Sequence, residues 1–330
     1  MVIEKSIAAA KAREGTIVLP EGHEPRVQSA AARLAAEGVC RVLLIGGEAP
    51  KCETLDFAKD LRREALIGDV VRKREKMSRT MAERLLSKPA YFAGALVAAG
   101  HADGMVAGAD TPTRRIIEAG QMTVGLSEGV ETPSSFFVMM LGSKSMIFAD
   151  CALNVAPTAE QLADIAIASA KSAKSLLGEA RVALLSYSTL GSGAGAEVDR
   201  VKEALAIAKE RAPSLQIDGE YQADTALNRS TAEKKGAGGA VAGQANVLIF
   251  PSLEAGNIAY KLVQELAGAQ AVGPFLQGFA KPICDLSRGA TVNDIIAAAA
   301  VTLSMGQEAA PTQGLGLGMG AGLGQSSPAS

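Results

Sequence analysis

Short runs rich in Val, Ile and Leu alternate along this chain with longer Ala-rich stretches of helical periodicity. That alternation restricts the fold more than any other feature. Segments 16–19, 41–45, 104–108, 181–188, 215–218 and 246–250 read as strands, and 26–37, 56–99, 158–176, 197–212, 223–235 and 292–305 as helical. A strand that returns parallel to its predecessor needs a long crossover, and a helix is the usual one. The runs at 182–185 and 247–250 are apolar at every position, as strands covered on both faces are. The expectation is an α/β fold with a largely parallel sheet under helices on both sides.

One stretch breaks the alternation. Two β-rich runs at 135–141 and 145–149, split by Gly142, read as a hairpin and mark a domain boundary. The 330 residues are more than one core usually organises, which agrees with two domains. The core must be aliphatic, because aromatics are 4 % and Trp is absent. Residues 311–330 are Gly, Ser, Pro and Gln with scattered Leu and Met, a composition expected to form a flexible tail.

Charge and cysteine usage exclude several classes. A net charge of −2 argues against a general nucleic-acid binder. Glu4, Lys5, Lys11, Arg13 and Glu14 make the N-terminus a short amphipathic helix and not a secretory signal, and no stretch has membrane-spanning character. Cys40, Cys52, Cys151 and Cys284 are scattered, and His23 and His101 lie far apart, so neither a disulfide framework nor a metal site is expected. Reduced thiols suit a cytoplasmic protein.

In parallel sheets, ligands gather at the carboxyl ends of strands. Four such ends here are polar and glycine-rich. The first, 186–196, contains Ser186, Tyr187 and Ser188 and then a Gly-rich turn suited to phosphate oxygens. Its Gly191-x-Gly193-x-x-Ala196 string also fits a permissive dinucleotide fingerprint, with Asp218 after the next strand, which keeps an NAD(P)-dependent dehydrogenase open. The second, 217–224, holds Asp218, Glu220, Gln222 and Asp224, readable as metal ligands or as helix caps. The third, 250–261, offers Asn257, Tyr260 and Lys261 within about one helical turn. The fourth, 277–289, runs from Gln277 through Asp285-Leu286-Ser287-Arg288-Gly289 into a helix whose Thr291-x-x-Asp294 also fits a capping box.

Together and in this order, these segments resemble the phosphate acetyltransferase and butyryltransferase family. The likeness covers residues 1–306 and is strongest from Phe148-Ala149-Asp150 to Asp294. The 252–261 segment is most similar to the short ethanolamine-utilisation type, and the N-terminal extension of the long bacterial type is lacking. The resemblance implies two three-layer α/β/α domains like those of isocitrate and isopropylmalate dehydrogenases, an active-site cleft between them, and a homodimer. The second domain, 134–277, is expected to be inserted into the first, 1–133 and 278–310. It further implies reversible acetyl transfer between acetyl-CoA and phosphate, giving acetyl phosphate and CoA. Coenzyme A is then a substrate, with no bound cofactor, metal, nucleic acid or membrane partner. Propionyl or butyryl transfer and a non-catalytic regulatory module are the alternatives.

By position, Ser287, Arg288 and Asp294 match the family's reacting centre, and Arg72 an arginine of its coenzyme A site. Glu118 stands where relatives carry a further arginine, so Arg114 or Arg115 is expected to supply that charge. Substrate contacts are expected from Ser186, Tyr187, Ser188, Gln222, Asn257, Tyr260, Lys261 and Gln277. The chemistry is thiolate attack on the carbonyl of acetyl phosphate. Ser287 would hydrogen-bond the sulfur, and Arg288 would stabilise the carbonyl oxygen and the leaving phosphate. A thiol near ~8.5 needs a base. Asp294 would serve if burial raises it from ~3.9, and otherwise it would orient Ser287 or Arg288.

Overall fold

The structure is a computed structural model that describes residues 2–306, so the tail expected at 311–330 lies outside the described residues. The first half of the chain forms α1 (Val2–Arg13), β1 (Thr16–Leu19), α2 (Pro25–Ala36), β2 (Arg41–Ile45), β3 (Glu53–Leu55), α3 (Arg63–Arg72), α4 (Arg79–Leu85), α5 (Pro89–Ala98), β4 (Gly104–Ala107) and α6 (Thr113–Thr123). Next come β5 (Ser134–Leu141), β6 (Lys144–Ala149), α7 (Ala159–Leu177), β7 (Arg181–Leu185), α8 (Ala196–Arg211), β8 (Gln216–Tyr221), α9 (Ala223–Leu227) and α10 (Arg229–Lys234). The last elements are β9 (Val247–Ile249), α11 (Leu253–Ala267), β10 (Gln270–Gln277), β11 (Ile283–Asp285) and α12 (Val292–Met305).

The 11 strands of the described residues join one sheet in the order β3-β2-β1-β4-β11-β10-β5-β6-β9-β7-β8. Both flanks are parallel. The centre is not: β10 runs antiparallel to β11 and β5, and β5 antiparallel to β6. The chain crosses into the second flank at β5 and leaves it through β10. The expected hairpin is β5–β6, closed by two residues opposite the Leu141–Lys144 pair. Gly142 there has φ 58°, which its missing Cβ allows.

Several expectations need correction. The helical patterns of 56–99 resolve into three helices, and β3 ahead of them was not foreseen. Ser78 starts α4 by accepting the Met81 amide, and Pro89 starts α5, where its missing N–H costs nothing. The stretch 223–235 breaks at Asn228, whose side chain caps α10 through the Thr231 amide. Strands β10 and β11 and helix α6 were not foreseen. Gly273 and Pro274 interrupt the apolar pattern of β10, and its ladder to β5 shifts register between Val272 and Phe275.

Helix α12 is buried at every position from 295 to 304. A helix apolar all round belongs inside a fold. It packs on α1 and α2 of one flank and α7 of the other. Its N-terminus, and the loop leading into it, is thereby fixed at the junction of the two flanks.

Candidate active site

The junction holds a cavity of about 380 Å³. One wall begins at the end of β4. Glu21, just beyond β1, is buried, and its carboxylate accepts four successive amides: Gly108 (2.9 Å) and Ala109 (2.8 Å) on one oxygen, Asp110 (3.0 Å) and Thr111 (2.7 Å) on the other. A carboxylate caged by backbone donors fixes that loop, and Thr111 and Thr113 face the cavity. The opposite wall follows β6. Asp150, also buried, accepts the Ala152, Leu153 and Asn154 amides at 3.0, 3.2 and 2.9 Å, and so presents Cys151 and Ala152 to the cavity. Helix α11 adds Asn257, Tyr260 and Lys261. Asn257 donates to the Cys151 carbonyl at 3.2 Å, and Tyr260 stacks on Phe137 with ring centres 4.2 Å apart.

The floor is the segment between β11 and α12. The Arg26 guanidinium, braced by Glu24, donates to the carbonyls of Arg288 and Ala290, both at 2.8 Å, and of Ala109 at 3.2 Å. This ties the floor to the first wall and leaves the Ser287 and Arg288 side chains in the cavity. Among the described residues, neither the Arg288 guanidinium nor the Lys261 ammonium is paired with a carboxylate. Asp285 closes the floor. It is fully buried; its Oδ2 accepts the Thr113 hydroxyl at 2.5 Å, while Oδ1 has no partner among the described residues. Burial pushes its carboxyl up to about 7, against the Thr113 hydrogen bond and with help from the Glu21 charge. Two unpaired cations, hydroxyls at Thr111, Thr113 and Ser287, and an apolar side of Phe137, Leu253 and Pro274 suit a small anion carrying an apolar substituent.

Of the expected residues, Ser287, Arg288, Asn257, Tyr260 and Lys261 thus come together. The others lie elsewhere. Asp294 is not in the cavity wall: it closes the α12 capping box with Thr291, its Oδ2 accepting that residue's amide and hydroxyl at 2.9 and 2.7 Å, and its Oδ1 accepts Gln270 at 2.7 Å. The Gly-rich turn is not an open phosphate cradle. Amides 188 to 193 all donate within the protein: to Ser186 Oγ, Ser192 Oγ, the Glu220 carbonyl, the Glu220 carboxylate, the Thr189 carbonyl and Ser188 Oγ. The Ser188 hydroxyl donates to the same Glu220 oxygen, and the Tyr187 hydroxyl to the Ala194 carbonyl. Burial pushes the Glu220 carboxyl up, but these donors outweigh it and hold it below the usual range.

Gln222 accepts from Lys235, and the Gln277 amide is shared among Ser134, Ser169 and Ser172 under α7. Asp218 takes Lys209 and the Tyr221 hydroxyl, and Asp224 takes Lys235, so the 217–224 carboxylates do not converge. Among the described residues no cluster of three or more His, Cys, Asp and Glu side chains could hold a metal. Arg72 pairs with Asp69 on the outer face of α3, and Arg114 with Glu118 at 3.0 Å on α6; Arg115 beside it is exposed. Glu21, Asp150 and Asp285 are given no chemical role by the sequence. Each is a lone carboxylate next to a strand, and only the folded chain supplies the donors that give it a task.

Comparisons with known proteins identify the family and the fold. The model of the family described as phosphate acetyl/butaryl transferase matches residues 1–303. The phosphate acetyltransferase of Clostridium acetobutylicum is 40 % identical over 328 residues, spanning 93 % of this chain and 98 % of that protein. The solved EutD phosphotransacetylase from Staphylococcus aureus superposes with a TM-score of 0.84 at 36 % identity, over 92 % of this chain and 99 % of that one. A 4-hydroxythreonine-4-phosphate dehydrogenase from Klebsiella pneumoniae shares the fold alone, with a TM-score of 0.52 at 12 % identity over 89 % of this chain and 100 % of that one.

Proposed function

The chain belongs to the phosphate acetyl/butaryl transferase family, and from that premise we propose how its cleft moves an acetyl group between coenzyme A and inorganic phosphate. It is an acyltransferase, a phosphate acetyltransferase. One observation carries the mechanism: Ser287 and Arg288 from the β11–α12 segment and Asn257 and Lys261 from α11 line one cavity, with both cations unpaired among the described residues. Arg288 and Lys261 hold the phosphoryl oxygens of acetyl phosphate, and Arg288 also meets the charge that grows on the carbonyl oxygen as sulfur adds. Ser287 hydrogen-bonds the attacking sulfur. The cavity of about 380 Å³ admits acetyl phosphate and the thiol end of coenzyme A, not the whole cofactor-sized molecule, whose remainder lies outside its mouth. Asp294 acts by holding Thr291 and hence the loop that carries Ser287 and Arg288.

Acyl transfer to a thiol moves no electrons between carriers. Coenzyme A is therefore read as a substrate, with no bound cofactor and no metal. The two flanks of the sheet are read as two domains, 1–133 with 278–310 and the inserted 134–277. A homodimer is supported by Ile258, Leu262 and Leu266, exposed one turn apart on α11; sedimentation velocity tests it. A cytoplasmic setting suits four free thiols.

The test of function is direct. The protein is mixed with coenzyme A and acetyl, propionyl or butyryl phosphate, and thioester is measured. The expected order is acetyl first. Thioester from butyryl phosphate alone would move the reading to butyryl transfer, and a requirement for nicotinamide would end it.

A further inference from the structure

A second cleft, of about 710 Å³, lies at the other edge of the sheet, against the amino ends of β1 and β2. Its wall takes Lys11 from the last turn of α1, Arg41 from the first position of β2 and Lys51 from the loop before β3. We propose that this cleft is a distal binding site for a phosphorylated anion of nucleotide size, and that its occupant acts on the Ser287–Arg288 loop through helix α2. Acetyl transfer uses none of these wall residues. Binding at the cleft is independent of that reading, because it is measured without turnover.

Charge selects the ligand. Among the described residues, Lys11, Arg41 and Lys51 have no carboxylate partner. Arg62, also in the wall, is held by Asp60 at 2.7 Å and Glu53 at 3.1 Å, so its charge is already matched. Against the three unpaired cations the wall sets one further carboxylate, Glu14, in a chain whose net charge is −2. A local excess of cations on a concave face concentrates small anions. The floor, with Val39 and Val42 buried in it, is apolar and suits a ring system attached to the phosphates. Among the described residues only Glu14 (φ 52°), Lys51 (φ 62°) and Leu190 adopt positive φ without being glycine, and the first two stand in this wall. That backbone region favours glycine, so a charged side chain kept there points to a use for the side chain. The route to the first cavity is α2. Ala35 and Gly38, at its carboxyl end, line the cleft. Its other end carries Arg26, which holds the Arg288 and Ala290 carbonyls, and Arg33 donates to Asn293 of α12 at 2.8 Å. A shift at one end of this helix is therefore delivered to the loop that carries Ser287 and Arg288.

The probe is ADP, titrated by calorimetry into the full chain with coenzyme A saturating. ADP is itself a fragment of coenzyme A and would otherwise enter the first cavity. A further equivalent of ADP should bind, and the double variant Arg41→Glu, Lys51→Glu should weaken it by about tenfold or more. Both residues are exposed, so melting temperature and basal kcat should stay near wild type. Inorganic pyrophosphate should bind about tenfold more weakly than ADP, because it leaves the apolar floor uncovered. Equal binding of the two overturns the nucleotide assignment. No heat from ADP, or heat that ignores the charge reversal, overturns the site. For the coupling, ADP should change kcat of acetyl transfer by about fivefold or more with both substrates saturating. Arg33→Ala should remove that change and keep the ADP affinity. An unchanged kcat, or a change that survives Arg33→Ala, overturns the route through α2.

Discussion

The loops after β7 and after β11 start alike and end differently. Each leaves a parallel strand, passes through Ser and Gly, and opens a long helix. In the β7 loop every amide from 188 to 193 donates inside the protein, and Glu220 from the neighbouring strand occupies the turn as an internal anion. In the β11 loop the neighbouring strand supplies no such carboxylate. Arg26 holds the backbone by its carbonyls, and the Ser287 and Arg288 side chains stay in the cavity. A Gly-rich strand end is therefore an anion site only if the fold leaves its donors unclaimed.

The sharpest way to break this contrast is Arg288→Ala. If the guanidinium meets charge that develops in the transition state, kcat should fall by about 10²–10³, or ~3–4 kcal/mol, with less effect on KM. Arg288→Lys should recover little, because an ammonium lacks the planar fork. A lower melting temperature with near-normal kcat would instead make Arg288 a structural tie and erase the difference between the loops.

Glu220→Gln tests the other loop. Leaving Gly191 and Ser188 poorly paired should cost about 1–3 kcal/mol of stability in a urea titration, with kcat within a few-fold. The pH dependence has a definite sign. The folded carboxyl lies below its ordinary range, so its contribution is present above the unfolded value of ~4.3 and is lost as pH falls through the lower folded value. The wild type should lose its advantage over the Gln variant in that acid window. A large fall in kcat at neutral pH would show that the β7 loop belongs to the chemistry after all.

A smaller effect is expected on α6. Arg114 is already paired with Glu118, whereas Arg115 has no carboxylate partner among the described residues and is the better source of charge for coenzyme A. Arg115→Ala should raise KM for coenzyme A a few-fold and spare acetyl phosphate, and Arg114→Ala should do neither. Equal effects on both substrates would exclude a coenzyme A contact there. The smallest effect of all should come from dialysis against EDTA, which should leave the rate nearly unchanged. A loss restored only by a divalent ion would shift attention from the β11 loop to the carboxylates at 217–224.

Residues that local backbone geometry brings to one cavity were legible in advance. Ser287 and Arg288 stand between a strand and a capped helix, and Asn257, Tyr260 and Lys261 share one turn of α11, so neighbours in sequence suffice to bring each group together. Gln277 and Asp294 were not legible in the same way. Both sit at promising strand or helix ends, but Gln277 is claimed by serines 105 to 143 positions away and Asp294 by Gln270 and its own cap. Strand β10 escaped for a further reason: Gly273 and Pro274 serve a bulge in a central strand, a tertiary need that breaks the local pattern.

By itself the amino-acid order determined the alternation of strand and helix, the central hairpin, the start of α12 at Thr291, and the family to which these motifs point. Each depends on periodicity or on contacts within a few residues. The tertiary structure alone decided which polar groups are free to do chemistry. Glu21 reaches amides 87 to 90 residues away, Glu220 fills a turn about 30 residues back, and Asp285 meets Thr113 across 172. A carboxylate becomes a brace, a plug or a buried group with a raised pKa according to how many donors surround it and how much water is excluded. Both quantities exist only once distant segments are packed together.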